Sequence, residues 1–258
     1  MADFTLSFQA LAIAITGGLL PALVWLWFWH RQDAGCPEPK GLVLLSFLGG
    51  MIIVFFVLPV QQLINASITP LTDLLNSVGA LVNFADLSED TSRILLLSFV
   101  EEFAKYLVVF FIAFNSQYFD EPIDAVIYML TVALGFAAIE NALYILKDLS
   151  NGETINAFLN SNLRLLGATL VHTVASAVVG IALAMVFYMP RFIKFIAISI
   201  GVIGATLLHA YFNLTIIDVQ GTIGTLAVFS RFWIAMIVVI ICIKIINRIS
   251  NRNQTCAI

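Results

Sequence analysis

Long apolar runs separated by short polar stretches dominate the chain. About 20 apolar residues cross the hydrocarbon of a bilayer, and by that measure the pattern predicts seven helices. They fall near 6–29, 41–64, 92–114, 121–146, 162–189, 193–216 and 224–246. Pro21 and Pro59 fall inside the first two and are expected to kink them. The stretch 66–90 is too polar to span. Within it Leu71, Leu74, Leu75, Val78, Leu81 and Val82 recur at helical spacing, as expected of an amphipathic helix lying on the outer membrane surface. The pattern therefore predicts an all-α, polytopic transmembrane helix bundle, one membrane domain over 1–258 with an extracytoplasmic loop at 66–90.

Composition agrees with this reading and narrows the partners. The 258 residues are 61% hydrophobic and 11% charged, whereas soluble domains run about 45–50% apolar and about 25% charged. The lipid bilayer is thus the first partner. A net charge of −4 with no basic cluster excludes nucleic acid, which needs a Lys/Arg footprint. Cys36, Cys242 and Cys256 show no CxxC spacing, so neither a disulfide framework nor a zinc knuckle is expected. The ending NQTCAI places Cys256 third from the end, where a prenylation box needs it fourth. The first apolar run lacks a basic leader and reads as a true span. Arg31 and Lys40 flank the first loop, Arg191 and Lys194 the fifth, and Lys244, Arg248 and Arg252 mark the tail. By the positive-inside rule the N-terminus lies outside and the C-terminus in the cytoplasm.

Against that background the ionisable residues inside the apolar runs stand out: Glu101, Glu102, Lys105, Glu140, His172 and His209. One charge at a bilayer centre costs about 2.5–3.5 kcal/mol on insertion scales. These six lie on four consecutive predicted helices. Counted from the predicted helix ends at about 1.5 Å per residue, Glu101, Glu140, His172 and His209 share a layer roughly 9–15 Å below the outer surface. That agreement points to one shared site. Glu101 and Lys105 are spaced to share a face and pair, while Glu102 is turned away by about 100°. Phe136 shares a face with Glu140, which Asn141 follows at once; Ser176 shares one with His172, and Asn213 with His209. Singly, each has a plainer reading. The Glu–Lys pair suits self-neutralisation, a lone His an interhelical hydrogen bond, and Asn213 and Ser176 ordinary helix–helix contacts. Asp124, at the start of its helix, is expected to serve the N-terminus.

Carboxylates with histidines suit amide hydrolysis. A Glu can act as general base on water, and a His or Asn donor can stabilise the oxyanion. Alternatively Glu140, His172 and His209 make a His₂Glu set of the kind that binds catalytic zinc, with Glu101 or Glu102 left as base. No HExxH occurs on one helix, so a metal site would have to be assembled from several.

The motifs EEFAK, FAAIEN, HTVAS and HAYFN occur in this order on successive predicted helices. Together with the stretch DEPIDAVIYMLTVALGFAAIENALYIL, they resemble the PrsW family of intramembrane proteases, related to the CAAX-prenyl and bacteriocin-processing proteases. The resemblance covers roughly 90–215, the protease-like core. It implies a membrane-embedded endopeptidase of the bacterial plasma (inner) membrane. The implied substrate is a single-span membrane protein, such as an anti-sigma factor, cut near its extracytoplasmic side. By analogy Glu101 would activate water, Glu140 and His172 would be ligands or polarising groups, and His209 with Asn213 would hold the water or the oxyanion. The related prenyl proteases carry FxxxH where this chain has FAAIE, which leaves the role of Glu140 open. Zinc and metal-free glutamate mechanisms both stand, with Lys105, Phe136, Asn141 and Ser176 in support. The competing readings are a proton- or cation-coupled transporter and a catalytically inactive scaffold of the same fold.

Overall fold

The computed structural model describes residues 8–31, 38–81, 86–151, 154–218 and 222–250. Cys36, Val82, Arg252 and Cys256 lie outside the described residues. The described chain forms helices α1 (Phe8–His30), α2 (Lys40–Ala66), α3 (Ile68–Ala80), α4 (Glu89–Ile112), α5 (Pro122–Ser150), α6 (Thr154–Met185), α7 (Arg191–Asp218) and α8 (Thr222–Ser250), with no strand among them.

The bundle is built around α5. This helix packs against α1, α2 and α6, and also touches α4 and α8. Every residue from Pro122 to Ala138 is buried. Such close packing needs small residues at the crossings. A Cβ on Gly135 would collide with the carbonyl oxygen of Phe47 on α2, and one on Gly50 with the carbonyl oxygen of Val132 on α5. On the other side a Cβ on Gly180 of α6 would sit 2.7 Å from Val126 Cα. The outer helices turn large apolar side chains outward, among them Phe56 and Leu63 of α2, Phe195 and Leu207 of α7, and Ile234 and Ile241 of α8. A surface of that kind suits lipid.

Six helices are long and apolar enough to cross a membrane: α1, α2, α5, α6, α7 and α8. The seven spans expected from the sequence are corrected to six by this criterion, and α4 is the one that falls short. Its 24 residues, about 36 Å long, suffice in length, but Glu101, Glu102 and Lys105 fall within every long window of it. The charges that define the site thus remove α4 from the apolar count. The pattern also ended one helix too early and began the next too late, since α5 runs to Ser150 and α6 begins at Thr154. Both continue past their apolar runs into polar sequence.

Two features hold the connections. After α3, whose Leu74 and Val78 are exposed, the Asn76 side chain donates to the Leu87 carbonyl (3.1 Å) and accepts from the Leu87 amide (2.8 Å). Ser88 then caps α4 by accepting from the Thr91 amide at 3.2 Å. At the start of α5, Asp124 Oδ2 accepts from the Asp120 and Glu121 amides (2.9 and 2.6 Å), serving the helix N-terminus as expected. One turn further on, the Tyr128 hydroxyl donates to Glu38, tying the segment before α2 to α5. Burial pushes the Glu38 carboxyl above the ordinary glutamate range, against a smaller downward pull from the Tyr128 and Asp124 hydrogen bonds.

Candidate active site

Four helices bring their ionisable residues to one place. Glu101, Glu102 and Lys105 come from α4, Phe136 and Glu140 from α5, His172 and Ser176 from α6, and His209 and Asn213 from α7. Glu102 is wholly buried. A buried carboxylate is tolerated only when paired and hydrogen-bonded, and this one has three donors. Its Oε1 accepts from Lys105 Nζ at 2.7 Å and from His209 Nδ1 at 2.8 Å, and its Oε2 accepts from Ser176 Oγ at 2.9 Å.

Lys105 therefore pairs with Glu102, three residues back, and not with Glu101 as the four-residue spacing suggested. Its Nζ also lies 2.7 Å from His172 Nδ1 and 4.5 Å from the centre of the Phe136 ring. A charged lysine has only donors, so Nδ1 of His172 is the acceptor. A neutral ring then carries its proton on Nε2 and donates it to Glu140 Oε2, 2.5 Å away. Both ring nitrogens of His172 are thus engaged. The His209 ring stands edge-on to it, with centres 4.9 Å apart. Its Nδ1 proton is committed to Glu102, and its Nε2 faces Oε2 of Glu101 at 3.7 Å.

Glu101 is the contrasting carboxylate. Its Oε1 accepts from Gln61 Nε2 of α2 at 2.8 Å. Its Oε2 is buried, and no described side chain hydrogen-bonds to it. Glu101 lines a cavity of about 860 Å³ together with Gln61, Glu140, His172, His209 and Asn213. Apolar walls come from α2 and α7, for instance Val57 and Phe212, and Lys147 and Asp148 line its α5 end. Glu102, Lys105 and Ser176 lie behind this lining. Asn141 is also set back, donating to Thr169 Oγ1 at 3.2 Å and so linking α5 to α6.

Among the described residues one compact His/Glu group could hold a metal ion. One ligand atom each of Glu101, His172 and His209 lie within 4.8 Å of one another. Glu140, placed in the zinc set at the sequence level, is the hydrogen-bond partner of His172 here. Gln61 was not anticipated. The signal for it was the pair Gln61–Gln62, beginning two residues after Pro59 in an otherwise apolar run.

The model of the family described as "PrsW family intramembrane metalloprotease" matches residues 38–243. Among named relatives, Protease PrsW of Geobacillus kaustophilus (strain HTA426) is 32% identical over 134 residues, 52% of each chain. Protease PrsW of Bacillus subtilis (strain 168) is 28% identical over 132 residues, covering 51% of this chain and 53% of the relative. That of Clostridioides difficile (strain 630) is 27% identical over 138 residues, 52% of this chain and 50% of the relative. The chain thus spans about half the length of the curated relatives it matches. No solved structure matches it. With a family match over most of its length, from before α2 into α8, the chain belongs to the PrsW family.

Proposed function

We propose that the protein is an intramembrane endopeptidase that hydrolyses a peptide bond of a membrane-protein substrate in the outer half of the bilayer, with water activated by Glu101. The observation that carries this reading is the division of labour between adjacent carboxylates. Glu102 is saturated with donors, whereas Glu101 presents an uncommitted Oε2 at the cavity, 3.7 Å from His209 Nε2. The relatives named Protease PrsW support the same class of reaction.

In this reading a segment of a single-span substrate, of the anti-sigma-factor kind, enters the cavity between α2, α4, α5 and α7. Glu101 Oε2 takes a proton from water as the water oxygen adds to the scissile carbonyl carbon. The carbonyl oxygen becomes an oxyanion, for which the Asn213 amide on the cavity wall is a neutral donor. When the C–N bond breaks, Glu101 returns the proton to the leaving nitrogen, giving one new carboxyl end and one new amine end. His209 steadies the water beside Glu101, its own orientation held by Glu102.

A zinc ion fits the donors. Glu101 Oε2 is a buried oxygen without a hydrogen-bond partner. His209 has its far nitrogen bound to a carboxylate, the outer arrangement typical of metal-bound histidines. Glu101, His209 and His172 would hold the ion, His172 only once its Nε2 proton is lost to water and Lys105 shares its own with Nδ1. The ion would polarise the substrate carbonyl and acidify the bound water; Glu140 would then be the free carboxylate beside it. In this reading the protein lies in the bacterial inner membrane, and with α4 crossing beside the six apolar helices its N-terminus is outside and its C-terminus cytoplasmic.

The test is cleavage of single-span membrane peptides by purified protein. Glu101→Gln should lower turnover by about 10²–10⁴-fold, and His209→Ala should abolish it. Full cleavage by both variants would overturn the assignment.

A further inference from the structure

We propose that Gln61 of α2 is a positioning residue for the candidate base, fixing which oxygen of Glu101 faces the reacting water. This rests on the protease reading above.

A carboxylate at the end of a Glu side chain has two equivalent oxygens and a broad terminal torsion. Left alone, either oxygen could point into the cavity. Here the two are made unlike. Gln61 Nε2 donates to Oε1 at 2.8 Å, while Oε2 stays unbonded and turned toward His209 Nε2 at 3.7 Å. The donor is neutral. An amide holds the carboxylate without the opposite charge by which Lys105 ties down Glu102, so orientation is supplied and the basic oxygen is not neutralised.

The placement of Gln61 follows from α2. Val54, Val57, Leu58 and Gln61 recur at helical spacing and together line one wall of the cavity. Val54 and Val57 pack with Ala104 of α4 and Phe136 of α5. The apolar part of the stripe is thus seated against the two helices that bear Glu101 and Glu140, and its last member is, among the described residues, the amide that reaches the base. Pro59, two residues earlier, has no N–H to give to the carbonyl of the preceding turn. The helix is therefore least tied by its own hydrogen bonds just before Gln61, and the contact to Glu101 supplies the restraint at that point. α2 lies before the span that carries the four motifs, so the site extends to a helix outside them.

The test compares wild type with Gln61→Met, which keeps the length but removes the donor, and Gln61→Glu, which sets an acceptor against Glu101. Glu101→Gln is the control for activity. Gln61→Met should lower kcat by about 10–100-fold with KM within about twofold of wild type. Gln61→Glu should lose more. Gln61→His, which restores an N–H donor on a side chain of similar reach, should recover part of kcat. Independently of turnover, the infrared band of Glu101, isolated by subtracting the Glu101→Gln spectrum, should shift in Gln61→Met.

A change in KM alone would overturn the positioning role, since the residue would then only line the substrate path. An unshifted Glu101 band would overturn the contact itself. If wild type cleaves no peptide while the band shifts, the protease reading and the catalytic part of this role both fall and only the contact stands. If wild type cleaves and Gln61→Met cleaves equally well, this role alone falls.

Discussion

Glu101 and Glu102 are neighbours in sequence, yet they differ in every hydrogen bond they make. Glu102 is locked by Lys105, His209 and Ser176, whereas among the described residues Glu101 accepts a hydrogen bond from Gln61 alone. Their side chains leave α4 about 100° apart, so one meets α6 and α7 and the other meets α2 and the cavity.

The two isosteric substitutions should therefore separate activity from stability. Glu101→Gln should lower cleavage by about 10²–10⁴-fold while its thermal unfolding in detergent stays close to wild type. Glu102→Gln should destabilise by about 3–5 kcal/mol, because Lys105 is left buried without its counter-charge. Adding Lys105→Met to Glu102→Gln should recover much of that loss, since no charge is then stranded. Equal melting of the two single variants would contradict this division.

Chelation distinguishes the two chemistries open to the same residues. With zinc held by Glu101, His172 and His209, cleavage should stop after chelation and return with added zinc. His209→Ala should also lower the zinc content measured by atomic absorption. A glutamate mechanism without metal predicts cleavage indifferent to chelator and protein free of zinc. The second result would remove zinc from the account.

Gly135→Ala should be far more damaging than its single methyl suggests. The new Cβ meets the Phe47 carbonyl oxygen, a backbone atom with no rotamer to move away. Overpacking of this kind costs typically about 1–3 kcal/mol, and displacing α5 against α2 also moves Glu140 and Phe136. Gly41→Ala, where an added Cβ meets nothing within 4 Å, is the control and should be neutral or stabilising. A Gly135→Ala protein with wild-type melting and turnover would show the crossing to be looser than described.

The burial of Glu38 gives the protein a pH dependence whose sign can be worked out. Its carboxyl is raised in the folded protein, so folding favours the protonated form. The stability it contributes is complete below the unfolded value, near 4.5, and is lost as pH rises through the higher folded value. Glu38→Gln keeps an acceptor for Tyr128 and removes the titration. Melting scans from pH 4 upward should show the gap between Glu38→Gln and wild type widening in the variant's favour; a constant gap would refute the argument.

Whether α4 crosses the membrane decides the topology. Its crossing together with the six apolar helices puts the two termini on opposite faces, whereas six crossings put them on the same face. Reporter fusions should find the N-terminus outside and the C-terminus in the cytoplasm. Matching locations would mean that α4 does not span.

Much of this was legible because a bilayer makes every internal charge costly, so Glu101, Glu102, Lys105, Glu140, His172 and His209 announce themselves in an apolar background. That they meet was also readable, from their similar distances to the predicted helix ends. The pairing was not. Residues three and four apart are both neighbours on a helix, and only the approach of α6 and α7 decides that Lys105 takes Glu102. Gln61 stayed hidden for a related reason: a neutral amide close to a helix end costs little, and nothing local marks its partner 40 residues away. The polar ends of α5 and α6 were missed because hydropathy stops where Lys147 and Asp148 begin, although the backbone continues.

The enclosure of α5 sets different substitution rules along one chain. In its most apolar stretch 94% of residues are buried in the protein, against 17% in α1. On α1 the solvent of most side chains is fluid lipid, which reshapes itself around Leu, Ile or Phe alike. On α5 the surroundings are other helices with fixed shape, so volume and branching matter at nearly every position. Two helices of the same hydropathy, 1.9 and 2.0, therefore differ in what variation they tolerate: one is read by the membrane for its greasiness, the other by its neighbours for its form.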